Sequence, residues 1–126
     1  MTDVLQAARN LVEAFAAHNT EAYFGSFAAD ATFIFHTHET PLRSRSDYEQ
    51  IWYGWEQSGF HVRSCESSDQ NVQHFGDIAV FTHRVRTVVF LDGAEQTLNE
   101  RETIVFHREA DGRWLAVHEH LSPDPS

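Results

Sequence analysis

The chain of 126 residues carries a single cysteine, Cys65. That excludes an internal disulfide framework and any zinc site built on cysteines. Its three prolines and six glycines are too few for a linker or a low-complexity tract, and no segment repeats. Basic residues are scarce: nine Lys plus Arg stand against nineteen Asp plus Glu, for a formal charge of −10 and a pI near 5.2. Such a surface repels phosphate backbones and anionic lipid heads, which argues against nucleic-acid and membrane-surface partners. No apolar run approaches the roughly 20 residues of a membrane span. Asp3, Arg9 and Glu13 interrupt any signal-peptide core, so a cytoplasmic location is predicted. Phosphate-loop, dinucleotide and hydrolase-elbow motifs are missing, and no cofactor is expected.

What is present suits one globular domain over residues 1–126, with 1–2 and 123–126 as frayed ends. Hydrophobic residues make up 41% and aromatics 13%, enough for a core without staples. Val4, Leu5, Ala8, Leu11, Val12, Phe15 and Ala16 form one helical stripe, capped by Asp3 and stopped at His18-Asn19. Thr20-Glu21 restarts a short helix bearing Tyr23, Phe24 and Phe27, ending between Ala28 and Asp30. Ala31 to His38 alternates as a strand and Pro41 closes it. Ser46-Asp47 opens a third helix with Tyr48, Ile51, Trp52 and Trp55 inward; Ser58-Gly59 ends it. Strands follow over 60–75, 78–91, 97–107 and 114–121, joined by turns at Gly76, Asp92-Gly93 and Asp111-Gly112. Helices first and a meander afterwards predict an α+β fold with a mostly antiparallel sheet.

Alternation sets Glu102, Ile104 and Phe106 on the inner side of one strand, and Leu115, Val117, Glu119 and Leu121 on the inner side of the last. The 78–91 strand is half apolar on both faces: Arg84 and Arg86 share one with Ile78, Val80, Val88 and Phe90. A single bulge would exchange them for His83 and Val85 on the cavity side.

Phe-Ala-Ala-Asp-Ala-Thr (27–32), Pro41-Leu42-Arg43, Arg101-Glu-Thr, Asp111-Gly-Arg-Trp and Val117-His-Glu-His-Leu-Ser122 together resemble the SnoaL-like branch of the nuclear transport factor 2-like superfamily. The ending is also similar to the association domain of calcium/calmodulin-dependent protein kinase II. The resemblance implies three helices in the concavity of a strongly curved sheet, an apolar cavity between them, and a homodimer through the sheet's outer face. The catalytic positions of the superfamily's steroid isomerases would fall at Leu11, Phe35 and Thr103 or Ile104, none with the needed chemistry. Of the cavity arginines of the kinase domain, only the one at Arg86 is kept; those at Ile104 and Leu121 are lost. The resemblance therefore turns Arg86, and with it Arg84, into the cavity.

Glu119 and Glu102, single carboxylates in apolar rows, are the candidate bases, because desolvation raises a carboxyl toward useful values. Arg86 and Arg84 are the candidate anion clamp, and Tyr23, Phe35, Trp52 and Trp55 the candidate lining. These residues predict a small organic ligand, acidic or carbonyl-containing. Two uses stay open: a binding module anchoring the ligand through Arg86, or a cofactor-independent isomerase, cyclase or dehydratase with a Glu base and an Arg oxyanion clamp. His36-x-His38 and His118-x-His120, with His107 or His83 nearby, form an alternative metal set. They fall on the outer face with no Asp or Cys at ligand spacing, so interface packing is the expected role. Cys65 is read as structural.

Overall fold

The computed structural model describes residues 3–125 and contains three helices, α1 (Val4–Ala16), α2 (Thr20–Phe24) and α3 (Arg45–Gln57). Five strands complete it: β1 (Phe27–Phe35), β2 (His61–Phe75), β3 (Ile78–Leu91), β4 (Ala94–Arg108) and β5 (Trp114–Pro123). They form one sheet in the order β1-β5-β4-β3-β2. All pairs are antiparallel except β1 with β5, which follows from the long connection between them. Helix α1 packs on β2, β3 and β5 and α3 on β1, so the helices cover one face. No helix is long and apolar enough to cross a membrane.

Local chemistry sets the element ends. Asp3 accepts the Gln6 amide at 2.8 Å and starts α1, an N-cap satisfying one of the orphan donors of a helix start. His18, at φ +52°, turns the chain out of it, and Asn19 caps α2 through the Ala22 amide. Ser44 rather than Ser46 caps α3, accepting from the Asp47 amide at 3.1 Å. Asp92 and Gly93 both adopt positive φ, as a two-residue hairpin turn demands.

Several boundaries differ from the sequence reading, and β1 ends at Phe35 rather than His38. Helix α2 stops at Phe24 and β1 already begins at Phe27, because Ala116 and Phe27 pair across the sheet. Strand β4 starts at Ala94, directly after the hairpin. The segment expected to fray extends β5 to Pro123, and the Asp124 amide donates to the Asn99 carbonyl at 3.0 Å. The expectation for residues 1–2 lies outside the described residues, as does Ser126.

A bulge in β5 changes which of its residues face inward. Val105 pairs with His118 but Phe106 with Ala116, leaving Val117 unpaired. Ala116 is therefore fully buried and Leu115 and Val117 are only half-buried, while Glu119 and Leu121 keep the inner face. A strict alternation cannot survive one inserted residue.

Candidate functional site

The inner row of β3 is Ala79, Phe81, His83, Val85, Thr87 and Val89, all buried. Arg84 and Arg86 are exposed on the opposite face, where Arg84 Nε lies 3.3 Å from Asp69 and Arg86 sits in register with Glu66 of β2. The expectation that they line the cavity is thus overturned. No bulge interrupts the pairing of β3 with β4; of two half-apolar faces, the one with two guanidinium groups stays in water, where charge is cheapest.

Both candidate carboxylates are inside. Register brings them together: Ile104 pairs with Glu119 and Glu102 with Leu121, so the two glutamates are diagonal neighbours on one face. Glu119 is 2% exposed. Tyr23 donates its hydroxyl proton to Glu119 Oε1 at 3.4 Å, and Tyr48 in turn reaches the Tyr23 oxygen at 2.9 Å. Glu119 Oε2 has no donor other than the carboxyl of Glu102, with which Glu119 is hydrogen-bonded. On the other side of the pair, Glu102 Oε1 lies 2.6 Å from His83 Nε2 and His83 Nδ1 2.6 Å from Ser67 Oγ. Gln70 donates to Ser67 at 2.9 Å. Ser67 thus accepts from Gln70 and sits against one ring nitrogen of His83 while Glu102 sits against the other.

Electrostatics follow from this geometry. Burial first, then the charge of Glu100, pushes Glu102 up to about 8. Burial, then the Glu102 charge, holds Glu119 well above the usual carboxylate range. Two buried carboxyls in contact cannot both ionise, so the pair keeps a proton at neutral pH and titrates as a unit. Burial lowers His83 to about 4, consistent with its neutral form. Burial and then Glu119 raise both tyrosines well above 10.0, keeping them donors.

The carboxyl pair lines a small inner cavity of about 50 Å³. Tyr48, Thr87, Glu100 and Leu121 border both it and an adjacent outer chamber of about 230 Å³. Phe35, Trp52 and Trp55 line the outer chamber and Tyr23 the inner cavity. Tyr48 and Glu100 were missed as site residues, and His83 was named only as a companion of the outer histidines or as the product of a bulge. Tyr48 reads as one more core aromatic on a helix, and Glu100 lies in a stretch taken for the polar start of its strand. The signal for Glu100 and His83 was the alternation itself: position 100 is two before Glu102, and His83 is two before Val85. Cys65 also lines the inner cavity; burial pushes its thiol up to about 12, which makes it a poor nucleophile.

The histidines do not assemble. Among the described residues no three His, Cys, Asp or Glu are grouped to hold a metal ion. His118 Nδ1 bonds Thr32 Oγ1 at 2.8 Å and its ring centroid is 6.1 Å from that of His120. His36 and His38 follow the end of β1. His36 leaves the outer face, where it was expected, and bends over the rim to place Nε2 2.5 Å from Glu100 Oε2.

Comparison with known proteins agrees with this architecture. The model of the SnoaL-like domain family matches residues 4–125. Among solved structures, a nuclear transport factor 2-like protein of unknown function in nutrient uptake from Rhodospirillum rubrum superposes with a TM-score of 0.82 at 22% identity, covering 98% of this chain and 99% of that one. A ketosteroid isomerase-like protein from Erwinia carotovora atroseptica gives 0.80 at 13% identity, covering 98% and 95%. The CaMKII hub of S. rosetta gives 0.76 at 21% identity, covering 96% and 94%. Identities this low carry the fold alone. No curated protein matches the chain.

Proposed function

Since the chain belongs to the SnoaL-like domain family, whose fold hosts unrelated activities, we propose that its cavity binds a small organic molecule and performs acid–base chemistry on it without a cofactor. The observation that carries this reading is the buried, hydrogen-bonded Glu102–Glu119 pair in the wall of an apolar cavity. A carboxylate stripped of water is a strong base and its protonated form a usable acid near neutral pH, which is how buried carboxyls serve catalysis. Glu119, which lines the cavity beside Glu102, takes or gives the proton. Glu102 sets its affinity for that proton. Tyr23, itself held by the Tyr48 hydroxyl, steadies Glu119 for this exchange.

The test uses nitrobenzisoxazole, a general reporter of desolvated bases. The base removes the ring C–H proton, the N–O bond breaks, and a coloured cyanophenolate forms. Turnover should rise with pH as the pair ionises and fall by about a hundredfold in Glu119→Gln. A wild-type rate no better than that of free acetate, or an unaffected variant, refutes the reading.

The outer sheet face, bearing Ile34 and the half-buried Val80, Val88 and Phe90, supports pairing with a second copy. A monomer mass in native mass spectrometry refutes that pairing.

A further inference from the structure

We propose that His83 is a proton relay, joining the Glu102–Glu119 pair through Ser67 to water at the edge of the sheet. The inference deepens the reading that this pair handles a proton, and rests on it. A hydrogen-bonded chain of side chains crosses the inside of the molecule. Tyr48 reaches Tyr23 at 2.9 Å, Tyr23 reaches Glu119 at 3.4 Å, and Glu119 bonds Glu102. Glu102 lies 2.6 Å from His83 Nε2, and His83 Nδ1 lies 2.6 Å from Ser67 Oγ. Ser67 is half-buried on β2, the outermost strand, where the exposed Gln70 donates to it at 2.9 Å. One end of the chain therefore borders the cavity and the other meets solvent.

His83 is the costly link. It is 3% exposed, in an inner row otherwise built of Ala79, Phe81, Val85, Thr87 and Val89, with the Phe81 ring centroid 4.7 Å from its own. A polar ring in such a place needs both nitrogens engaged. Both are, and each partner is able to give or take a proton: a hydroxyl on one side, a carboxyl on the other. Either neutral tautomer is therefore satisfied, and the change from one to the other moves a proton. With Glu102 protonated, its O–H donates to Nε2 and Nδ1–H donates to Ser67. As Glu102 ionises, its proton passes to Nε2, the Nδ1 proton passes to the Ser67 oxygen, and Ser67 gives its own proton to water. The ring ends as Nε2–H, donating to the carboxylate. Uptake runs back along the same path and restores the first tautomer. Burial lowers His83 to about 4, which keeps the ring from holding the proton as a cation.

The other groups around the pair take no part in this transfer. Glu100 on β4 acts on Glu102 through its charge, and its hydrogen bond goes to His36 after β1. Tyr23 on α2, Tyr48 on α3 and Cys65 on β2, all pushed upward by burial, stay protonated. Helix α1 brings only Leu11, Val12 and Phe15 to the inner cavity.

Nitrogen-15 NMR of the histidine-labelled full chain reads which ring nitrogen carries the proton. As pH rises through about 8, where Glu102 ionises, His83 should change from the Nδ1–H to the Nε2–H pattern with no imidazolium between them. The change should track the Glu102 carboxyl, followed by carbon-13. A ring that keeps one tautomer on both sides of that ionisation overturns the proposal. Ser67→Val and Ser67→Thr share one shape and differ in the hydroxyl. Exchange of the pair's proton with water, read from the carboxyl line shapes, should slow about a hundredfold in the valine variant and recover in the threonine variant. Equal rates in the two overturn the proposal, as does slowing by His36→Ala in their place. If the valine variant does not fold, the tautomer change in the unaltered chain still decides. Turnover of nitrobenzisoxazole that depends on Glu119, with a ring fixed in one tautomer, leaves the acid–base reading standing and removes the relay. A ring that switches in a protein without turnover does the reverse.

Discussion

Replacing Glu102 by glutamine should stabilise the protein at neutral and alkaline pH and leave it nearly unchanged in acid. Burial, reinforced by Glu100, raises this carboxyl from 4.5 to about 8, so the folded chain keeps a proton that the unfolded chain gives up. A group raised in this way binds more protons when folded, and the stability it contributes is lost as pH climbs from 4.5 toward 8. At about 1.4 kcal/mol per pH unit, the interval from 4.5 to pH 7 costs about 3 kcal/mol. Glutamine is neutral throughout. Its oxygen accepts from His83 Nε2, now 2.6 Å from Glu102, and its amide donates toward Glu119. Removing the Glu102 charge also relieves Glu119, which that charge raises, in the same direction. His83, lowered from 6.5 to about 4 by burial, gives the opposite slope, stability rising with pH across that window; it is common to both proteins and cancels in the difference. Urea unfolding at about pH 4.5, 7 and 8.5 reads the result. With a slope of roughly 1–3 kcal/mol/M, the variant's midpoint should lie roughly 1–3 M above wild type at pH 7 and coincide with it in acid. A variant less stable at pH 7, or a difference independent of pH, would refute a shared proton.

Arg86→Ala should leave nitrobenzisoxazole turnover unchanged, since the side chain is on the outer face; a loss, measured in the same assay, would return the guanidinium to the cavity. Trp52→Ala removes a ring that is 1% exposed and packs within 6.4 Å of Phe24, Trp55 and Phe60. It should cost about 3–5 kcal/mol by urea unfolding. Cys65, pushed up to about 12 by burial, should react with a thiol-directed disulfide reagent at pH 8 far more slowly than a free thiol; labelling at the rate of a free thiol would contradict its place in the wall.

Much of the fold was determined along the chain because its causes are local. Capping by Asp3, the break at His18-Asn19 and the Asp92-Gly93 hairpin each depend on residues a few positions apart. The lone acids Glu102 and Glu119 were legible as departures from apolar rows, and Tyr23 and Trp52 as members of a buried helical stripe. Tertiary structure decided the rest. Tyr23 and Glu119 meet across 96 positions, a separation that no periodicity reports. The bulge at Val117 shifted the inner row of β5 by one residue. On β3, two half-apolar faces made the pattern ambiguous, and only packing against the helices chose the row of Phe81 and His83 over that of Arg84 and Arg86. That choice sets the charge of the cavity: the residues along the strand are the same either way, but which of them meet a ligand depends on which face the helices cover.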